Sequence, residues 1–128
     1  MVKKILIADD EQEVVDILTE RLQREGFEVL VSRTGHEALI QTRAHMPDLI
    51  LMDIVLPDMD GSEAVRDLHD HPATTGIPVI FLSGIIAGQD DFGSSGITVG
   101  GRHYEAIGKP FTYSDLRSRI GEMLQLTE

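Results

Sequence analysis

Short apolar runs alternate with helical stripes along the whole chain. Ile5-Leu6-Ile7-Ala8 is a continuous apolar run, the pattern of a strand buried on both faces. Val14, Val15, Leu18 and Leu22 then form a helical stripe through about Glu25, which Gly26 stops. Phe27 to Val31 reads as a second strand. Thr34 is placed to cap a helix running to about His45, with Glu37 at the capping-box position, and Met46-Pro47 ends it.

The same alternation continues. Leu49-Ile50-Leu51-Met52 is a third run ending at Asp53, and Pro57 to Gly61 is turn-rich. Ser62 to His71 reads as a helix with Ala64, Val65 and Leu68 inward. Pro78-Val79-Ile80-Phe81-Leu82 is a fourth strand ending at Ser83, and Tyr104 to Ile107 a fifth, leading to Gly108-Lys109-Pro110. Thr112 or Ser114 is placed to cap a last helix carrying Leu116, Ile120, Met123 and Leu124. Such alternation predicts right-handed crossovers and an open, doubly wound parallel sheet with helices on both faces, whose ligands bind at the carboxyl ends of the strands.

One stretch breaks the rhythm. Gly84 to His103 holds six of the twelve glycines, including Gly100-Gly101. Each interior glycine costs a helix about 1 kcal/mol, so the helix due here is expected to be short, displaced or replaced by irregular chain.

Composition narrows the class. The 128 residues suit one domain, 1–128, with a proper core. Asp plus Glu number 22 against 11 Lys plus Arg, a net charge of -11, which repels nucleic-acid phosphates and anionic lipid. The absence of cysteine excludes disulfides, thiolate metal sites and a cysteine nucleophile. The first apolar run is too short for a signal peptide, and no stretch approaches the roughly 20 apolar residues of a membrane span. A soluble, cytoplasmic domain is expected. Met1 followed at once by a strand fits a true N-terminus; the end at Glu128 fits a stand-alone chain or a fragment.

In a parallel sheet the strand ends share one edge. That edge should bring together Asp9, Asp10 and Asp53 with Ser83 and Lys109. Three unpartnered carboxylates would raise one another's pKa. A hard divalent cation resolves the conflict, and oxygen-only ligands favour Mg²⁺ over zinc. Lys109, with Lys3 and Lys4 the only lysines, adds a second positive charge. A carboxylate flanked by Mg²⁺ and an ammonium can attack a phosphoryl group to give an aspartyl phosphate. The blander readings are a first-turn acid for Asp9-Asp10, a solvated acid for Glu11, and surface positions for His36, His45, His69, His71 and His103. His69 and His71, two apart, do not share a helix face.

Four segments together resemble the receiver domains of two-component response regulators: Asp9-Asp10-Glu11, Asp53 to Gly61 with Leu56-Pro57 and Met59-Asp60-Gly61, Ser83-Gly84, and Lys109-Pro110-Phe111. The resemblance covers nearly the whole chain. It implies a flavodoxin-like, five-stranded parallel sheet of order 2-1-3-4-5. It also implies roles: Asp53 as phosphoacceptor, Asp10 as direct metal ligand, Asp9 as its mostly water-mediated neighbour, the Val55 backbone carbonyl as a further ligand, Ser83 as switch hydroxyl, Lys109 as the phosphoryl-binding lysine, and a cis bond before Pro110. Mg²⁺ is the implied cofactor. The implied partners are a sensor histidine kinase or histidine phosphotransfer protein and a downstream protein.

The chain departs from this pattern in three places. Ala106 stands where the family usually has an aromatic, and Tyr104, two residues earlier, lies on the same strand face. The stretch from Ser83 to Lys109 is longer than in the family, in the region receivers commonly present to partners. Val55 and Ile85, two after Asp53 and Ser83, are apolar and predict a slowly hydrolysing phosphoryl group. The other classes are a phosphatase with an aspartyl-phosphate intermediate, disfavoured because Val55 stands where a second acid is wanted, and a pseudo-receiver that only makes protein contacts.

Overall fold

A computed structural model describes residues 2–84 and 96–126. The elements are β1 (Lys4–Ala8), α1 (Gln12–Arg24), β2 (Glu28–Ser32), α2 (Gly35–His45), β3 (Leu49–Asp53), α3 (Gly61–His69), β4 (Val79–Ser83), β5 (Ile97–Val99), β6 (Arg102–Gly108) and α4 (Tyr113–Leu124). They build one sheet of order β2-β1-β3-β4-β6-β5. The pairs β1·β2, β1·β3, β3·β4 and β4·β6 are parallel, as the alternating pattern predicts.

The apolar runs are buried on both faces, which is why they lack alternation. Leu6, Ile50, Met52 and Phe81 pack under α2 and α3 with Ala38, Val65 and Leu68. Ile5, Ile7, Leu51 and Leu82 pack under α1 and α4 with Leu18, Leu22, Leu116 and Ile120. Helix starts follow their caps. The Thr34 hydroxyl accepts from Glu37 N at 3.0 Å and the Thr112 hydroxyl from Asp115 N at 3.1 Å. The Glu37 carboxylate reaches Arg33 N, not the N–H of Thr34 that a capping box would use.

The sheet differs from the five-stranded, all-parallel expectation by one strand. β5 pairs antiparallel with β6, Val99 opposite Arg102, across the turn Gly100-Gly101. Both turn residues have positive φ, 59° and 83°, the requirement of a tight two-residue hairpin that only glycine meets readily. Gly96 enters the hairpin at φ 87°, where a Cβ would lie 2.1 Å from the Tyr104 carbonyl oxygen. The glycines read as breaking regular structure therefore make it in residues 96–103. Residues 85–95, which carry the rest of that expectation and Ile85, lie outside the described residues.

The hairpin is held at its turn. The Arg102 guanidinium donates to the Thr75 carbonyl oxygen and lies 6.0 Å from the Tyr104 ring centre. His69, read as a surface residue, is only 20% exposed in its side chain, and a Cβ on Gly100 would come within 2.9 Å of its Nδ1.

Candidate functional site

Parallel pairing brings the carboxyl ends of β1, β3, β4 and β6 to one edge, and two hydrogen bonds extend the ladder past the strands. Asp9 N donates to Ser32 O at 3.1 Å, and Lys109 N to Ser83 O at 2.9 Å. Asp9 and Lys109 are thus held by the sheet itself. The Lys109–Pro110 peptide is cis, as the resemblance implies.

Carboxylate oxygens of Asp9, Asp10 and Asp53 all lie within 4.8 Å of one another. Asp9 is fully buried, Asp53 nearly so at 5% exposure, and Asp10 is exposed. Asp9 has both oxygens engaged: Oδ1 accepts from Glu11 N at 2.9 Å and Oδ2 from Lys109 Nζ at 2.8 Å. Asp53 Oδ2 accepts from the same Nζ at 3.3 Å, and Oδ1 from Val55 N at 3.2 Å.

The charges act on one another strongly here. Burial, and then the negative charge of Asp9, push the Asp53 carboxyl up to about 6 against the pull of Lys109. Burial alone would lower Lys109, but the hydrogen bonds to Asp9 and Glu11 outweigh it and hold the ammonium well above its ordinary range. A cluster in which Asp53 resists ionisation while Lys109 stays charged is matched to a further cation and to a phosphoryl anion.

The loop after Asp53 is tightly closed. Leu56 N donates to Met59 O at 3.2 Å and Gly61 N to Ile54 O at 2.6 Å, forming an antiparallel bridge between Val55 and Asp60. Because these bonds come from the neighbours of Val55, its own N–H and C=O point away from the bridge, and the N–H reaches Asp53. Glu63 accepts from Asp60 N and starts α3. Asp58, within the stretch read only as turn-rich, accepts from Gly35 N at 2.8 Å and His36 N at 2.9 Å. It caps α2 from across the loop, and those two N–H groups, His36 first, hold its carboxyl below the usual carboxylate range.

Beside the cluster lies an open cleft of about 710 Å³, lined by Asp10, Asp53 and Lys109 on one side and by Ile17, Val55 and Phe111 on the other. Ile17 and Val55 are each 55% exposed. Ser83 is buried at the end of β4 and Tyr104 in the core, its ring edge-on to Phe81 at 6.0 Å and 86°. Tyr104 and Ala106 share the α2–α3 side of the sheet, the face relation the sequence predicts.

Glu11 is the site residue the sequence reading undervalued. Its side chain is 59% exposed, as a solvated acid would be, yet Oε1 lies 2.5 Å from Lys109 Nζ. The signal available was its place two residues beyond Asp9, with an ammonium returning to that strand end.

The chain's relatives fall in one family. The response regulator receiver domain family matches residues 5–121. Over 129 residues the chain is 33% identical to the alkaline phosphatase synthesis transcriptional regulatory protein PhoP of Bacillus subtilis, covering 100% of this chain and 51% of that one. It is 34% identical to the phosphate regulon transcriptional regulatory protein PhoB of Rhizobium meliloti, covering 98% and 53%. The chain thus spans about half the length of these two regulators. The solved structure of a CheY-like response regulator receiver domain protein from Methanospirillum hungatei superposes with a TM-score of 0.80 at 29% identity, covering 98% of this chain and 95% of that one. With the match running from β1 into α4 and the acid cluster at the strand ends, the chain belongs to the response regulator receiver domains.

Proposed function

We propose that the domain is a phosphorylatable switch whose acceptor is Asp53. The donor is the phosphohistidine of a sensor histidine kinase or a histidine phosphotransfer protein. An oxygen of Asp53 bonds to phosphorus as the donor's P–N bond breaks and its electron pair returns to the imidazole nitrogen. The observation that carries this reading is the single ammonium of Lys109 within 3.3 Å of Asp53 and within 2.8 Å of Asp9.

Asp10, Asp53 and the Val55 carbonyl would hold Mg²⁺, with Asp9 acting mostly through water. The donor set fits a hard cation: all oxygen, close-set, and short of positive charge. Bound there, Mg²⁺ supplies charge neutralisation for the phosphoryl oxygens and the attacking carboxylate. Lys109 stabilises the charge on the transferred group, and the Ser83 hydroxyl receives one of its oxygens.

The change of charge at Asp53 then shifts the balance between two conformations of the chain, read by a downstream protein. The domain's acid excess argues against direct contact with nucleic acid. Among the described residues no helix is long and apolar enough to cross a membrane, and we place the domain in the cytoplasm. Its own chemistry is self-phosphorylation and slow autodephosphorylation, not sustained turnover.

Intact-mass measurement with acetyl phosphate and Mg²⁺ tests the reading. The expected result is one phosphoryl group on the wild type and none on Asp53→Asn. Sustained turnover of a small phosphate ester would indicate a phosphatase instead. An unlabelled wild type would indicate a domain that only makes protein contacts.

A further inference from the structure

An ammonium has three N–H bonds, and Lys109 spends all three on carboxylates: Glu11 at 2.5 Å, Asp9 at 2.8 Å and Asp53 at 3.3 Å. The three partners differ in what it costs to leave. Asp9 is fully buried and has no water to return to. Asp53 is the group being modified. Glu11 is 59% exposed, and its carboxylate can rehydrate at once.

Glu11 also occupies a position where another use is expected of it. It is the N-cap residue of α1 but makes no side-chain capping bond. Its backbone N–H is instead tied to Asp9 Oδ1. Asp9, Glu11 and Lys109 therefore close a ring: Asp9 holds the Glu11 backbone with one oxygen and Lys109 with the other, while Glu11 holds Lys109 with its side chain. Asp9 and the ladder bond from Lys109 N to Ser83 O already anchor the lysine, and Glu11 adds a further restraint on its Nζ.

We infer that Glu11 is a positioning residue that acts as a brake: it competes for Lys109 and is displaced from it by the incoming phosphoryl oxygens. The inference rests on the reading of Asp53 as acceptor. Removing the competitor leaves an N–H free for the transferring group and speeds acceptance of the phosphoryl group. The effect expected for one exposed, charged contact is about two- to fivefold in rate.

Charge and contact are separated by two variants. Glu11→Gln removes the charge and leaves only a neutral amide acceptor; Glu11→Asp keeps the charge but withdraws the oxygens by one methylene. Labelling by acetyl phosphate with Mg²⁺ is followed by intact mass for wild type, E11Q, E11D and Glu13→Gln, the last changing the net charge equally on the same helix. Both Glu11 variants are expected to label faster than wild type, and E13Q at the wild-type rate. A second measurement needs no phosphorylation: peptide mapping after brief amine acylation should show Lys109 more reactive in E11Q and E11D, relative to Lys3 and Lys4. A fast E11Q with a wild-type E11D would mean long-range charge alone and overturn the brake, as would slower or unchanged labelling in both. A labelled wild type with unaltered Glu11 variants sinks only this inference; an unlabelled wild type sinks the assignment of Asp53 as well.

Discussion

The backbone carbonyl of Asp53 fills the space that any side chain on Gly61 would need. A Cβ at position 61 would lie 2.1 Å from that oxygen and 2.9 Å from Met52 Cγ. The first residue of α3 is thereby packed against the backbone of Asp53, and the contact fixes where the β3 strand end can lie.

Gly61→Ala is therefore expected to displace Asp53 rather than to be absorbed by a flexible neighbour. Overpacking of this kind costs about 1–3 kcal/mol, which thermal unfolding would register as a fall of several degrees. Labelling of Asp53 should drop about tenfold or more, since a small misplacement of a reacting group is costly. An alanine variant with wild-type melting temperature and labelling would show that the contact relaxes freely.

Asp53 also makes stability depend on pH. Its carboxyl is pushed up to about 6, by burial first and by Asp9 next, whereas an unfolded aspartate titrates near 3.9. Above about pH 6 the folded chain carries this charge at a cost. As pH falls from about 6 towards about 4, the folded state takes up the proton before the unfolded chain does, so the cost shrinks. In the presence of chelator, Asp53→Asn is expected to be more stable than wild type at pH 7.5 by about 1–3 kcal/mol, with the gap narrowing at pH 5. Urea midpoints at both values check the sign; a variant less stable than wild type at pH 7.5 would refute it.

Mg²⁺ should stabilise the domain by mass action, by about 2.7 kcal/mol at a hundredfold excess over its dissociation constant. Asp10 is exposed and makes little of the fold, so Asp10→Asn separates metal binding from folding. The variant is expected to melt like the wild type in chelator and to lose most of the shift on adding Mg²⁺, as calorimetry can show.

Val55 presents an apolar, half-exposed side chain beside Asp53 and has no side-chain group to hydrogen-bond an attacking water. Val55→Asn should shorten the lifetime of the phosphoryl group on Asp53, by about threefold to tenfold. Decay of the labelled mass after removal of the donor measures it, and equal lifetimes would exclude Val55 as a control on hydrolysis.

Much of this was legible in the chain because strands buried on both faces write themselves as unbroken apolar runs, each with its polar terminus attached. Asp9, Asp53, Ser83 and Lys109 were all found that way. The glycines of 96–101 were misjudged because helix propensity was applied to residues whose positive φ serves a hairpin. Glu11 and Asp58 were placed as local acids because their partners are distant: Glu11 meets Lys109, 98 residues away, and Asp58 meets Gly35 and His36 across the sheet edge. A pattern read along the chain carries short-range demands well, and long-range hydrogen bonds leave no trace in it.

The added strand has a consequence for the exposed edge of the sheet. Ile97–Val99 pairs with Arg102–Tyr104, the part of β6 that precedes its pairing with β4 from Glu105 onward. Among the described residues the strand added at this end of the sheet is three residues long, too short to template pairing with another chain. The hairpin therefore shields the start of β6, Arg102 to Tyr104, from edge-to-edge pairing with another chain.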